Sequence, residues 1–287
     1  KYRSDQGNIM ISKNLLLSIC LVIFSFTSSH SWAQMNATII WDEIKHIASE
    51  NGFRISALMS QSEEGIYITD FALIKKATDT NEVANVEIDL LDIQLLERDD
   101  GSVEIRPDYD QEIKIKVYEG REVLSFVLKP LSDNTNMIIS GEVGAPHFQI
   151  NSSLFGMQLK EYDLPSRYQG NEFFEASIIL NEMVSNQTFA GKMQDSPKSS
   201  FQADSINLFV NFDMPAEQMS GLISYKLEDV LVISRQDNLV SRASENLTNL
   251  LENGYNALGS YSIGASSIGF DFSSPDGNLK GELASEN

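Results

Sequence analysis

Turn signals recur roughly every ten residues along most of this chain, and apolar and polar residues alternate between them. Ile66-Tyr67-Ile68-Thr69-Asp70-Phe71-Ala72-Leu73 follows a polar turn. Ile113-Lys114-Ile115-Lys116-Val117-Tyr118 and Val123-Leu124-Ser125-Phe126-Val127-Leu128 flank Glu119-Gly120-Arg121-Glu122 as a hairpin. A period of two puts successive side chains on opposite faces, and turns this close leave no room for the crossover helices that parallel strands need. The chain therefore predicts a mainly β fold, a large antiparallel sheet or sandwich.

Further strands are expected at 53–59, 83–96, 103–105, 137–143, 147–150, 154–162, 175–180, 188–193, 205–212, 221–224, 226–233 and 279–283. Within 83–96 the apolar set Val86, Ile88, Leu90 gives way to Leu91, Ile93, Leu95. This change of face at Leu90-Leu91 predicts a bulge or bend.

Two segments carry a helical period instead. Trp41, Ile44, Ile47 and Ala48 predict a helix over 41–51 that stops at Gly52. Leu239, Ala243, Leu247, Leu250 and Leu251 predict another over 239–253 that stops at Gly254. Asn51-Gly52-Phe53 and Asn253-Gly254-Tyr255 share a helix, Asn-Gly, aromatic, strand order. This reads either as a second copy of the opening unit, cut short at Asn287, or as two uses of a common helix exit. The expected organisation is an upstream read-through plus signal peptide over 1–33, a β-rich domain with its N-terminal helix over 34–238, and the start of a second, truncated repeat unit over 239–287.

The leader reading rests on Lys13, the apolar run from Leu15 to Phe26, and the small-x-small exit Ser31-Trp32-Ala33, a secretory signal pattern read from Met10. The apolar core is too short to span a bilayer of roughly 30 Å as a helix. Cleavage after Ala33 and a periplasmic location are expected, with no transmembrane segment afterwards. Cys20, the one cysteine, lies in this leader, and bulky Ile19 before it argues against lipidation. The chain beyond it holds no thiol chemistry.

Charge narrows the partners. With 21 Lys+Arg against 41 Asp+Glu the net charge is −20, which repels phosphate backbones and anionic lipid surfaces, so nucleic acid is excluded as a partner.

No motif selects a reaction. His46 and His147 are the histidines after the leader and lie far apart in sequence. Gly191-Lys192 lacks a phosphate-cradling loop before it, and no Gly-x-Ser-x-Gly or His-x-x-x-His occurs. Asp108, Asp110 and Glu112 alternate as a calcium loop can, but without its glycine and distant bidentate glutamate, and read first as a solvated turn. Among forty-odd acids no pair stands out for glycoside hydrolysis. Trp41 falls in the helical stripe and reads as core. No catalytic, cofactor-binding or metal residue is assigned, and the chain is read as no enzyme.

Ile40-Trp41-Asp42-Glu43-Ile44 with Asn51-Gly52-Phe53, and Leu247 to Gly254 with Tyr255, Gly264, Phe270 and Pro275-Asp276-Gly277, resemble the DUF2125 family of secreted alphaproteobacterial proteins. That resemblance implies an exported β-rich protein of undefined function and carries no catalytic residues.

Two short helices are little cover for so many apolar strands. Either the sheet closes on itself as a sandwich, or it curves and leaves an apolar groove. The first reading of function is an exported, non-enzymatic envelope protein that binds a lipid or other hydrophobic ligand or an envelope protein, its groove lined by residues such as Ile88, Leu90, Ile115, Val117, Phe126 and Leu128. The alternatives are an interaction domain with a closed core, where those side chains pack together, and a carboxylate-dependent hydrolase.

Overall fold

The structure, a computed structural model, describes residues 36–76, 85–119, 122–142, 145–163, 173–188, 198–214, 218–237, 256–275 and 277–286. The expected leader, the helix expected over 239–253 and Gly191-Lys192 lie outside the described residues.

Among the described residues there is one helix, α1 (Ala37–Glu50). Asn36 caps it, accepting the Ile39 N–H on its Oδ1 at 2.9 Å, and Glu97 reaches across to accept the Ala37 N–H at 3.1 Å. Gly52, at φ 76°, ends it and hands the chain to the first strand.

Among the described residues fifteen strands follow, all in one sheet: β1 (Phe53–Ser62), β2 (Gly65–Lys75), β3 (Asn85–Asp89), β4 (Ile93–Glu97), β5 (Val103–Pro107), β6 (Ile113–Glu119), β7 (Glu122–Asp133), β8 (Asn136–Glu142), β9 (Ala145–Asp163), β10 (Phe173–Thr188), β11 (Lys198–Met214), β12 (Met219–Asp237), β13 (Asn256–Ser262), β14 (Ala265–Ser274) and β15 (Gly277–Glu286). Every pairing is antiparallel. The stretches expected as separate strands at 147–150 and 154–162 are one strand, β9, and those at 221–224 and 226–233 are one strand, β12.

Four neighbouring pairs are single long strands broken in the middle. β3 and β4 both pair β2 in one register, with Ala72 opposite Asp89 and Ile68 opposite Ile93, so Leu90-Leu91-Asp92 interrupts the ladder without shifting it. β7 and β8 pair β9 in the same way around Asn134-Thr135, and β13 and β14 pair β12 around Ile263-Gly264. β5 and β6 are split by the turn 108–112. Read this way the sheet is an up-and-down meander of eleven strands in chain order.

The breaks line up. Ser153, Glu182, Asp204, Asp229 and Gly264 face one another on successive strands, each at a gap in the ladder whose register resumes beyond it. Asn134 donates to Ser153 at 3.3 Å and extends the line. Asp70, Asn134, Glu182 and Asp229 all have φ near +50°, a backbone state that costs an L residue about 1 kcal/mol. The result is a crease running across the sheet. The bend expected at Leu90-Leu91 is one segment of it.

The inner side of the crease holds the core at the N-terminal end. Ile40, Trp41, Ile47 and Ala48 of α1 pack into it against Ile66, Ile68, Phe71, Leu73, Ile88, Leu95 and Ile139. Trp41 meets Phe71 edge-on at 5.5 Å, as expected of a core residue. Ile88 and Ile115 are buried in this cluster, and Leu90, Val117, Phe126 and Leu128 pack on it. Ile88 and Ile115 are thereby closed off beneath the helix, while Phe126 and Leu128, partly buried, pair Tyr162 and Leu159 where the inner face of β9 begins. Alternation shows which face is apolar but not where the helix sits.

Candidate functional site

Beyond β9 nothing among the described residues covers the inner face. Register identifies that face strand by strand, because directly paired residues share it. On the β7 side of the crease, the first rows are Phe155, Leu180, Ile206, Leu227 and then Met157, Ile178, Leu208, Tyr225, Ile268, Leu283. Ile178 is 40% exposed, and Leu279 and Leu283 on β15 are 61% and 65% exposed.

The outermost row is aromatic. Tyr162 meets Phe174 edge-on at 6.2 Å, Phe212 lies 6.4 Å from Phe272, and Phe272 stacks on Phe270 at 6.2 Å. Two glycines let these rings lie down on the sheet. A Cβ on Gly221 would sit 2.5 Å from the Phe272 ring and 2.6 Å from Phe212, and one on Gly281 would sit 2.6 Å from Phe270.

At the crease itself the inner row is Ser152, Met183, Ala203 and Val230, exposed by only 5%, 5%, 0% and 4%. These side chains are buried although no described element lies over them, and the row forms the floor of a trough. The second wall begins with Ile150, Ser185, Phe201, Val232 and Tyr261, then turns polar at Gln187, Ser199 and Ser234, with a 2.6 Å hydroxyl pair between Ser199 and Ser234. Tyr261 on this wall and Tyr225 on the other line one cavity of about 460 Å³ together with Ile263, Ser266 and Ser285. The two walls therefore face a common space.

Electrostatics separates the sides more sharply than burial does. Among the described residues of β9–β15 no Asp, Glu, Lys, Arg or His takes an inner position. The outer face and crest carry them instead: Glu182, Asp204 and Asp229 stand exposed along the crease, and Lys226, Asp271, Lys280 and Glu282 lie beyond. Lys226 pairs Glu228, and Lys280 pairs Asp271 at 2.7 Å.

Where the crease enters the closed core, its floor is polar. Thr135 and Ser152 share a hydrogen bond of 2.5 Å, Ser132 donates to Thr135 at 2.6 Å, and Ser152 also reaches the Leu154 carbonyl at 2.6 Å. The Tyr109 hydroxyl is buried beside Ser132 and Thr135 without a well-formed hydrogen bond to either. Burial pushes its pKa up to about 12.

No protein-family model matches the chain, and no curated protein or solved structure matches it.

The other residues singled out in the sequence are spread over the molecule. His46 is exposed on α1, and His147 is half-buried on β9 opposite Ser140 and Thr188. Asp108, Asp110 and Glu112 form the turn between β5 and β6. There Asp108 Oδ1 accepts the Asp110 N–H, and Gln111 bridges to both the backbone and the carboxylate of Asp92. Glu112 pairs Lys160 at the rim of a second open cavity of about 490 Å³, and that hydrogen bond holds its carboxyl below the usual range. Among the described residues no group of three His, Cys, Asp or Glu side chains is placed to hold a metal, and no helix is long and apolar enough to cross a membrane.

The trough residues were missed by sequence reasoning, although a signal existed. Apolar residues sit at 174, 176, 178 and 180 and then at 183. They sit at 206, 208, 210 and 212 but also at 201 and 203, and at 223, 225 and 227 but then at 230 and 232. The period of two slips by one at the polar pairs Asn181-Glu182, Asp204-Ser205 and Glu228-Asp229. Those slips mark the crease.

Proposed function

We propose that this protein is an exported, non-enzymatic envelope protein that holds a hydrophobic ligand, a lipid above all, in the creased trough of β9–β15. The observation that carries the reading is the inner face without a charged side chain, in a chain that is 22% charged. An apolar surface of this extent on a folded chain marks a binding site more often than bare exposure to water. Its buried floor, apolar first wall and mixed second wall suit a flexible hydrocarbon better than a flat partner surface. The location follows from the Lys13 to Ala33 leader pattern. The resemblance to the DUF2125 family belongs to the same proposal, on Trp41, Asn51-Gly52-Phe53 and Pro275-Asp276-Gly277.

A second reading, an interaction domain, is favoured by the packed N-terminal core, which resembles a closed β domain. Uptake of an apolar fluorescent dye, N-phenylnaphthylamine, decides between them. The trough reading expects bright, saturable binding by monomeric protein that phospholipid displaces. A protein that stays dark at every dye concentration rules the trough out.

A further inference from the structure

Resting on the trough reading, we infer that the ligand is a long-chain amphiphile recognised through its hydrocarbon chain alone, its head left at the rim with no group to select it. Every inner position over β9–β15 is apolar, hydroxyl, amide or glycine. A phosphate or carboxylate head is held by Arg, Lys or a cluster of backbone N–H groups, and an ammonium head by carboxylates or by aromatic rings that enclose it, whereas the Phe212, Phe270 and Phe272 rings lie flat over the glycines of one wall. The rim residues nearest the floor, Gln187, Ser199 and Ser234, offer only neutral donors and acceptors, and Ser199 and Ser234 already satisfy each other. The carboxylates Glu182, Asp204 and Asp229 stand exposed at the unpaired crest of the crease and not among the inner rows, and the net charge of −20 disfavours an anionic head in general.

Dimensions fit a whole chain. From β9 across β10, β11 and β12 to the broken strand β13–β14, where the second wall ends, are four strand spacings, about 19 Å at about 4.8 Å each. One leaflet of a bilayer core is about 15 Å thick, so the trough takes an acyl chain end to end. α1 fills the same crease at the β2–β4 end, so the chain enters from the β15 side.

The test displaces bound N-phenylnaphthylamine from the full chain with two series below their micelle concentrations. One is octyl, dodecyl and hexadecyl phosphocholine. The other is a hexadecyl chain on phosphocholine, phosphoglycerol and maltoside. The inference expects affinity to rise about twofold to fourfold per methylene, levelling off once the chain outruns the trough. It expects the three heads to differ by less than about threefold at 0.15 M salt, the anionic one weakest at low salt. Affinity that follows the head and ignores chain length overturns the inference while leaving the trough reading intact. Absence of dye binding removes both, and if sedimentation then shows a dimer, a second copy covers the face.

Discussion

The adjacent residues Ser177 and Ile178 on β10 test the assignment of inner and outer faces. Both sit mid-strand between β9 and β11, yet register puts Ile178 on the wall of the trough and Ser177 on the outer surface. Full burial of an Ile side chain is worth about 1.5–3 kcal/mol. Ile178 is 40% exposed, so folding draws on about three-fifths of that, and Ile178→Lys costs the fold about 1–2 kcal/mol, less where the lysine stem lies along the sheet. That is a fall of roughly 2–8 °C in melting temperature for a domain of this size, and the protein remains folded. The ligand loses the remaining two-fifths, about 1 kcal/mol, and must also lie against an ammonium group, which costs about 1 kcal/mol or more. Together these weaken binding about thirtyfold. Ser177→Lys adds the same charge on the other side and leaves binding within about twofold, because an exposed lysine there is solvated and screened. Dye displacement read beside a circular dichroism melt gives both quantities. Equal weakening by the two variants, or none by Ile178→Lys, refutes the face assignment.

Other consequences follow from single contacts. Trp41→Ala removes a buried side chain edge-packed on Phe71 and should cost about 3–5 kcal/mol in urea unfolding; a loss under about 1 kcal/mol contradicts the docking of α1. Gly221→Ala pushes a methyl into the Phe212 and Phe272 rings and should cost about 1–3 kcal/mol while disturbing the aromatic near-ultraviolet dichroism, whereas Gly277→Ala, with nothing within 4 Å, leaves those rings undisturbed. Tyr109 carries a pH signature. Its folded pKa of about 12 lies above the unfolded value near 10, so its contribution is intact below about pH 10 and lost as pH rises towards 12. Stability of the native chain should therefore fall by up to about 2 kcal/mol more across that window than that of Tyr109→Phe, and identical alkaline melts exclude a buried phenol. Glu97→Gln weakens the contact that closes the first turn of α1 and should cost about 0.3–1 kcal/mol, screened by salt.

Much of the architecture was legible in the sequence because alternation and turn residues are local. The hairpin between Ile113–Glu119 and Glu122–Asp133 and the stop at Asn51-Gly52 stand where the residues put them. Register over long distances is not local, which is why β9 and β12 read as pairs of shorter strands. At Ser152-Ser153 and Tyr225-Lys226 polar residues resemble turns, whereas in the sheet the first pair lies at the crease and the second bridges two walls of hydrogen-bonded neighbours. The crease was visible at Leu90-Leu91, where apolar residues meet at the change of face. It was hidden at Asn181-Glu182 and Glu228-Asp229, where the unpaired residues are polar and read as ordinary surface. The extent of the helix-covered part of the sheet was hidden for a related reason. Ile88 and Ile178 are alike in sequence pattern, and only the position of α1 decides that the first is buried and the second is not.

The most direct test of the trough is native mass spectrometry of the protein expressed from the full sequence and purified without detergent. The account predicts a monomer carrying an adduct of lipid mass that organic extraction removes, and a lower melting temperature once it is gone. A clean monomer mass that no added amphiphile changes, with the same melting temperature before and after extraction, contradicts it.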